Sequence, residues 1–103
     1  WEAGVLVEET TSTLLCGDLF TQLGDGPTVR TESPMEATVV AEDMFGYSCL
    51  SPSTVPTVER LADLSPTTLA LMHGPSHTGD GAQWLRELAA DYRRRADLAL
   101  APA

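Results

Sequence analysis

Two short apolar runs, far apart in this chain, end in the same way: Leu14-Leu15-Cys16-Gly17-Asp18 and Leu69-Ala70-Leu71-Met72-His73-Gly74. Each has the length of a strand, and each delivers a side chain able to ligate a metal beside a glycine. A strand end is rigid on one side and open beyond, so a carboxylate or imidazole there can be aimed at an ion while substrate approaches from outside. The glycine lets the backbone turn sharply and leaves room for the ion. An aspartate can bridge two cations through its two oxygens, and imidazole suits zinc or iron. Taken singly, however, a strand-end Asp serves as readily in a turn, and a lone His as hydrogen-bonded structure. Two ligands also fall short of the three protein donors a catalytic zinc site needs.

The rest of the chain reads as alternating strands and helices. Val5 to Glu8 and Ser12 to Cys16 form a plausible antiparallel hairpin around Glu9-Thr10-Thr11. Gly24-Asp25-Gly26-Pro27 through Glu32 is rich in turn formers and reads as loop. Ser33-Pro34-Met35-Glu36 opens a helix with an N-cap serine, a first-turn proline and a glutamate placed for a capping box. Met35, Val39, Val40 and Met44 then share a face predicted to point inward, Glu42 and Asp43 fall on the wet face, and Gly46 closes the helix. A second helix is predicted from Ser53-Thr54, with Val58, Leu61 and Ala62 inward, ending at Ser65-Pro66.

Thr67 to Met72 is an apolar run predicted as a strand buried on both faces, with His73-Gly74-Pro75 at its C-terminal end. Asp80-Gly81-Ala82-Gln83 is a further capping box. It opens the longest helix, whose inward face carries Trp84, Leu85, Leu88, Ala89 and Tyr92, with fraying from Ala96 onward. The predicted order is β-β-α-α-β-α.

Composition narrows the function. The formal net charge of −9 and the lack of any lysine argue against nucleic acid, whose phosphates need clustered cations. Arg93-Arg94-Arg95 is read as a solvated helix end. No apolar run approaches a membrane span. Cys16 and Cys49 lack metal-type spacing, so both are expected as free thiols in a reducing compartment, which points to a cytoplasmic protein. The opening Trp1-Glu2-Ala3, with no Met and a strand immediately after, reads as a cut into a longer chain.

Thr13-Leu14-Leu15-Cys16-Gly17-Asp18-Leu19-Phe20, followed by Leu71-Met72-His73-Gly74-Pro75 at a distance of 55 residues, resembles the last two metal-binding motifs of the metallo-β-lactamase superfamily. The Asp-Leu-Phe and His-Gly-Pro details are similar to the branch that includes the flavodiiron reductases. The resemblance implies an α/β fold, the C-terminal half of a four-layer αββα sandwich, with residues 1–103 as that half-domain. It assigns Asp18 as the carboxylate bridging two divalent metal ions and His73 as a ligand of the second. Zinc is the first choice and iron the second. The family's first motif, His-x-His-x-Asp-His, is absent from these residues, so this piece alone is expected to bind metal weakly or not at all.

His77 is four residues past His73, but Gly74-Pro75 prevents a helix between them, so the pair cannot act as a zinc-peptidase motif. It is a candidate to line the substrate mouth, against a plain loop histidine. The leading functional expectation is a dinuclear metallohydrolase whose metal-bound hydroxide attacks an ester, thioester, lactam or phosphoester of a small-molecule substrate. The alternatives are a diiron protein reducing oxygen or nitric oxide, and a catalytically silent domain serving packing and self-association. The open face of a half-sandwich implies a partner, either the missing N-terminal half or a second copy in a homodimer.

Overall fold

The computed structural model of the chain describes residues 4–24 and 28–100, the side chain of Leu100 excepted. Expectations for Trp1-Glu2-Ala3, for Asp25-Gly26-Pro27 and for the last three residues lie outside this range. Eight elements follow one another: β1 (Leu6–Glu8), β2 (Thr13–Leu15), β3 (Val29–Arg30), α1 (Met35–Phe45), α2 (Thr54–Asp63), β4 (Thr68–Ala70), β5 (Ser76–Thr78) and α3 (Gly81–Leu100). The strands form one mixed sheet in the order β1-β2-β4-β5-β3. The domain is therefore mixed α/β with a five-stranded sheet and three helices. The predicted order missed β3 and β5, for physical reasons: β3 is only two residues long, and Ser76-His77-Thr78 carries no apolar pattern.

The hairpin forms as expected, with β1 antiparallel to β2. Its turn is held by Glu8, whose two carboxylate oxygens accept hydrogen bonds from the backbone and hydroxyl groups of Thr10 and Thr11. Parallel pairing of β2 with β4 joins Thr13 to Thr68, Leu14 to Leu69 and Leu15 to Ala70. Val7, Leu14 and Leu69 lie on the face that meets the helices, within a core containing Phe20, Val58, Ala62, Trp84, Leu85, Leu88 and Tyr92. The inward stripe of α3 and the inward residues of α2 agree with the sequence reading. Asp80 caps α3 as expected, its Oδ1 accepting from the Gln83 amide at 3.0 Å, and α3 runs on through Leu100 without stopping at Ala96.

Four expectations are corrected. The run from Thr67 to Met72 is not a strand buried on both faces: only Thr68–Ala70 is strand, and Met72 is exposed. Helix α1 stops where expected, with Gly46 in the left-handed conformation that closes it, but it starts one residue late, at Met35, with Pro34 as its cap and no side-chain capping bond; Ser33 Oγ accepts from the Met35 amide instead of completing a capping box. Its rotation differs: Thr38, Ala41 and Glu42 are buried, while Val40 and Met44 face outward. Polar ties to α3 hold α1 at this rotation, from Ser33 to Glu87 at 3.3 Å and from Asp43 to Arg95 at 2.8 Å. Glu42, expected on the wet face, is only 5% exposed.

Arg93 and Arg94 are exposed, each paired with an acid, but Arg95 is mostly covered and clamps Asp91 and Asp43 together. Burial pushes the Asp91 carboxyl up, yet hydrogen bonds from Arg95 and Arg94 outweigh it and hold the group below its ordinary range.

Candidate metal centre

The parallel pairing of β2 and β4 carries a constant offset of 55 positions, the separation of Asp18 from His73. Register therefore continues past the strand ends into the two loops. Two backbone hydrogen bonds carry the pairing past the strands, Cys16 N–H to the Ala70 carbonyl at 2.9 Å and Met72 N–H to the Gly17 carbonyl at 3.3 Å, and a third folds the following loop back, Gln22 N–H to the His73 carbonyl at 2.9 Å. Asp18 Oδ1 and His73 Nε2 converge to 3.4 Å. Both side chains remain open to solvent, at 39% and 58% exposure.

That separation is long for a hydrogen bond between nitrogen and oxygen. It lies in the range of an ion pair, and it also matches the separation of about 3.4 Å between two ligands each about 2.1 Å from a tetrahedral centre. The donor set, one carboxylate oxygen and one imidazole nitrogen, fits zinc or iron equally well. Among the described residues no cluster of three or more His, Cys, Asp and Glu side chains is placed to hold a metal. Among the described residues the chain brings these two side chains together and no third candidate donor.

The flanking glycines are required by the backbone. Gly17 has φ +57°, and a Cβ added there would sit 2.8 Å from the Gly4 carbonyl oxygen. Gly74 has φ +142°, and its Cβ would press on Leu71 and Gln22. Phe20, two residues beyond Asp18, also holds a positive φ of 61° while its ring is completely buried. A left-handed conformation is costly for such a bulky residue, and core packing of the ring offsets the strain. Thr21 Oγ1 donates to the Asp18 carbonyl at 2.7 Å, closing the turn. The loop that presents Asp18 is thereby anchored at its base.

His77 is not at a substrate mouth. It lies in β5 with 1% exposure. Its Nδ1 donates to the Glu32 carbonyl at 2.7 Å, and its Nε2 meets the Gln22 side-chain amide at 2.9 Å. The ring also packs edge-on to Trp84, with centroids 6.0 Å apart. With both nitrogens engaged inside the protein, His77 has none to offer substrate or metal. The reason is that Pro75 leads directly into β5, which turns the expected loop residue into an inward strand residue.

Gln22 is the positioning residue that the sequence did not disclose. Its backbone holds the His73 carbonyl, and its side chain holds His77. A single glutamine in a polar stretch carries no pattern by which it could have been found. Cys16 is buried, as read from its apolar run, and burial pushes its thiol up to about 12. Cys49 is exposed, and both cysteines are free.

No protein-family model and no curated protein matches the chain. Among solved structures it is similar to one described as the peroxy diiron species of the chemotaxis sensor ODP, at 20% identity with a TM-score of 0.57. The match covers 89% of this chain and 43% of that one, so the chain spans less than half the length of the structure it resembles. The likeness is one of fold over that span. No helix among the described residues is long and apolar enough to cross a membrane.

Proposed function

We propose that this chain supplies two ligands, the Asp18 carboxylate and the His73 imidazole, to a dinuclear iron centre whose remaining donors come from outside these residues. The observation that carries the reading is the 3.4 Å approach of Asp18 Oδ1 to His73 Nε2. Ferrous ions held there would supply electrons and open coordination positions for dioxygen or nitric oxide. Asp18 offers two oxygens, enough to reach two ions, while its turn fixes the direction of the carboxylate. His73 is steadied through its own carbonyl by Gln22. Solvent exposure of both side chains leaves space for further ligands and for a small molecule to enter.

Iron is preferred over zinc because the structurally similar protein is described as diiron. The hydrolytic reading has no comparable support, since the structurally similar protein is described as diiron and not as a hydrolase. Metal analysis of the natural protein tests the proposal. The expected result is iron, lost in both Asp18→Ala and His73→Ala with the fold retained. Zinc in place of iron, or metal content unchanged in both variants, would contradict it.

A second reading, a docking role, is favoured by the open face of the sheet. Leu6 and Leu15 pair across β1 and β2 and are both exposed, and Ala70 continues their row on β4. A complementary half of the sandwich or a second copy of the chain would cover this row. Sedimentation of the chain should show self-association that Leu15→Glu abolishes, and a strictly monomeric chain at high concentration would remove the homodimer.

A further inference from the structure

Beside Asp18, on the helix side of the sheet, lies a cavity of about 380 Å³, within the range of small-molecule sites. Its floor is apolar, from Cys16, Val58 and Leu61, and Tyr47 and Tyr92 stand in its walls. Asp18 borders one end and Cys49 another, with the hydroxyls of Ser51, Thr54 and Thr57 along the rim. These hydroxyls bond to one another and to nearby carbonyls, with Ser51 Oγ 3.2 Å from Thr54 Oγ1 and Thr54 Oγ1 3.1 Å from the Cys49 carbonyl. Thr54 and Thr57 donate their single hydroxyl hydrogens to the Cys49 and Ser53 carbonyls, so what the rim keeps for a guest is acceptor capacity, at Ser51 and Thr57.

Among the described residues, no arginine, lysine or histidine lines the cavity. The charges near it are negative: Asp18 at the border, and the buried Glu42, close enough to Tyr47 and Tyr92 to raise both phenols further after burial has done so. An anion entering here would lose its hydration with no cation to compensate. A cation would lose its hydration over the apolar floor, where the bordering carboxylate, Asp18, already faces His73 at 3.4 Å. From volume, apolar floor, hydroxyl rim and charge, we infer that this cavity binds an uncharged, mostly apolar small molecule bearing one hydroxyl group that donates to the rim, held against α2 and α3 beside Asp18. The inference rests on the proposed centre only for the role of that molecule; the binding itself needs no metal.

The metal-free chain provides the test, with three probes of nearly equal size: 2-naphthylmethanol, 2-naphthoate and 2-naphthylmethylammonium. Cys49 is exposed at the cavity and Cys16 is buried, so N-ethylmaleimide should label Cys49 alone. The alcohol should slow that labelling and shift the NMR signals of Val58 and Tyr92, binding at least about tenfold tighter than the carboxylate. Thr57→Phe, which fills the cavity from α2, should abolish both effects, whereas His73→Ala should leave them intact. Failure of metal binding with intact alcohol binding would remove the centre and keep this site. The inference is overturned by labelling and NMR signals indifferent to the alcohol, by equal binding of the carboxylate, by tighter binding of the ammonium ion, or by full alcohol binding in Thr57→Phe.

Discussion

Gln22 and His77 meet side chain to side chain at 2.9 Å inside the protein, and the same glutamine donates its backbone N–H to the His73 carbonyl. One residue thus couples a buried structural histidine to the loop that presents the exposed one. The two histidines of the chain divide the work, with His77 holding the fold and His73 facing solvent.

Replacing His77 by alanine removes a buried ring and strips partners from the Gln22 amide and the Glu32 carbonyl. The expected cost is about 2–4 kcal/mol of stability. Denaturant unfolding should show this as a lowered midpoint with an unchanged slope. A loss below about 0.5 kcal/mol, the usual range for surface changes, would mean that the ring is not packed as described.

Gly17→Ala should be destabilising and should also move Asp18. The new methyl must share space with the Gly4 carbonyl oxygen at 2.8 Å, at a residue whose φ is +57°. Strain at such a position costs about 1–3 kcal/mol, and relief requires the turn to shift. Thermal unfolding and the NMR shifts of Asp18 and His73 check both parts. A variant as stable as the parent, with both shifts unmoved, would contradict the assigned backbone conformation.

The β1–β2 turn should weaken in acid. Hydrogen bonds from Thr10 and then Thr11 hold the exposed Glu8 carboxyl at about 2, below its ordinary 4.5. Because the folded value is the lower one, the stabilisation is full above about 4.5 and disappears as pH falls toward 2. Amide exchange at Thr10 and Thr11 should accelerate over that window, and Glu8→Gln should flatten the dependence. A turn whose exchange protection follows the parent's pH profile in Glu8→Gln would not be held by this carboxylate.

The approach of Asp18 to His73 was legible because it depends on strand register, and register follows apolar pattern. The runs ending at Asp18 and His73 had to pair to bury Leu14 and Leu69, and that pairing sets the two side chains close together. Helices α2 and α3 were legible for the same reason, since their apolar stripes and N-terminal signals agree. What escaped was decided by polar contacts. The rotation of α1 follows Asp43–Arg95 and Ser33–Glu87, not its methionines and valines. Strand β5 is a polar triplet recruited by antiparallel pairing with β4 and parallel pairing with β3, and it carries His77 inward.

Titration of the isolated chain with cobalt(II), followed by NMR, tests the central claim most directly. Convergence of Asp18 and His73 on one ion predicts paramagnetic shifts and broadening centred on those two residues and fading with distance from them, weak in affinity because two protein ligands leave the ion incompletely held. Both Asp18→Asn and His73→Ala should erase the effect. Broadening spread over the acidic surface, or unchanged in the two variants, would contradict the account.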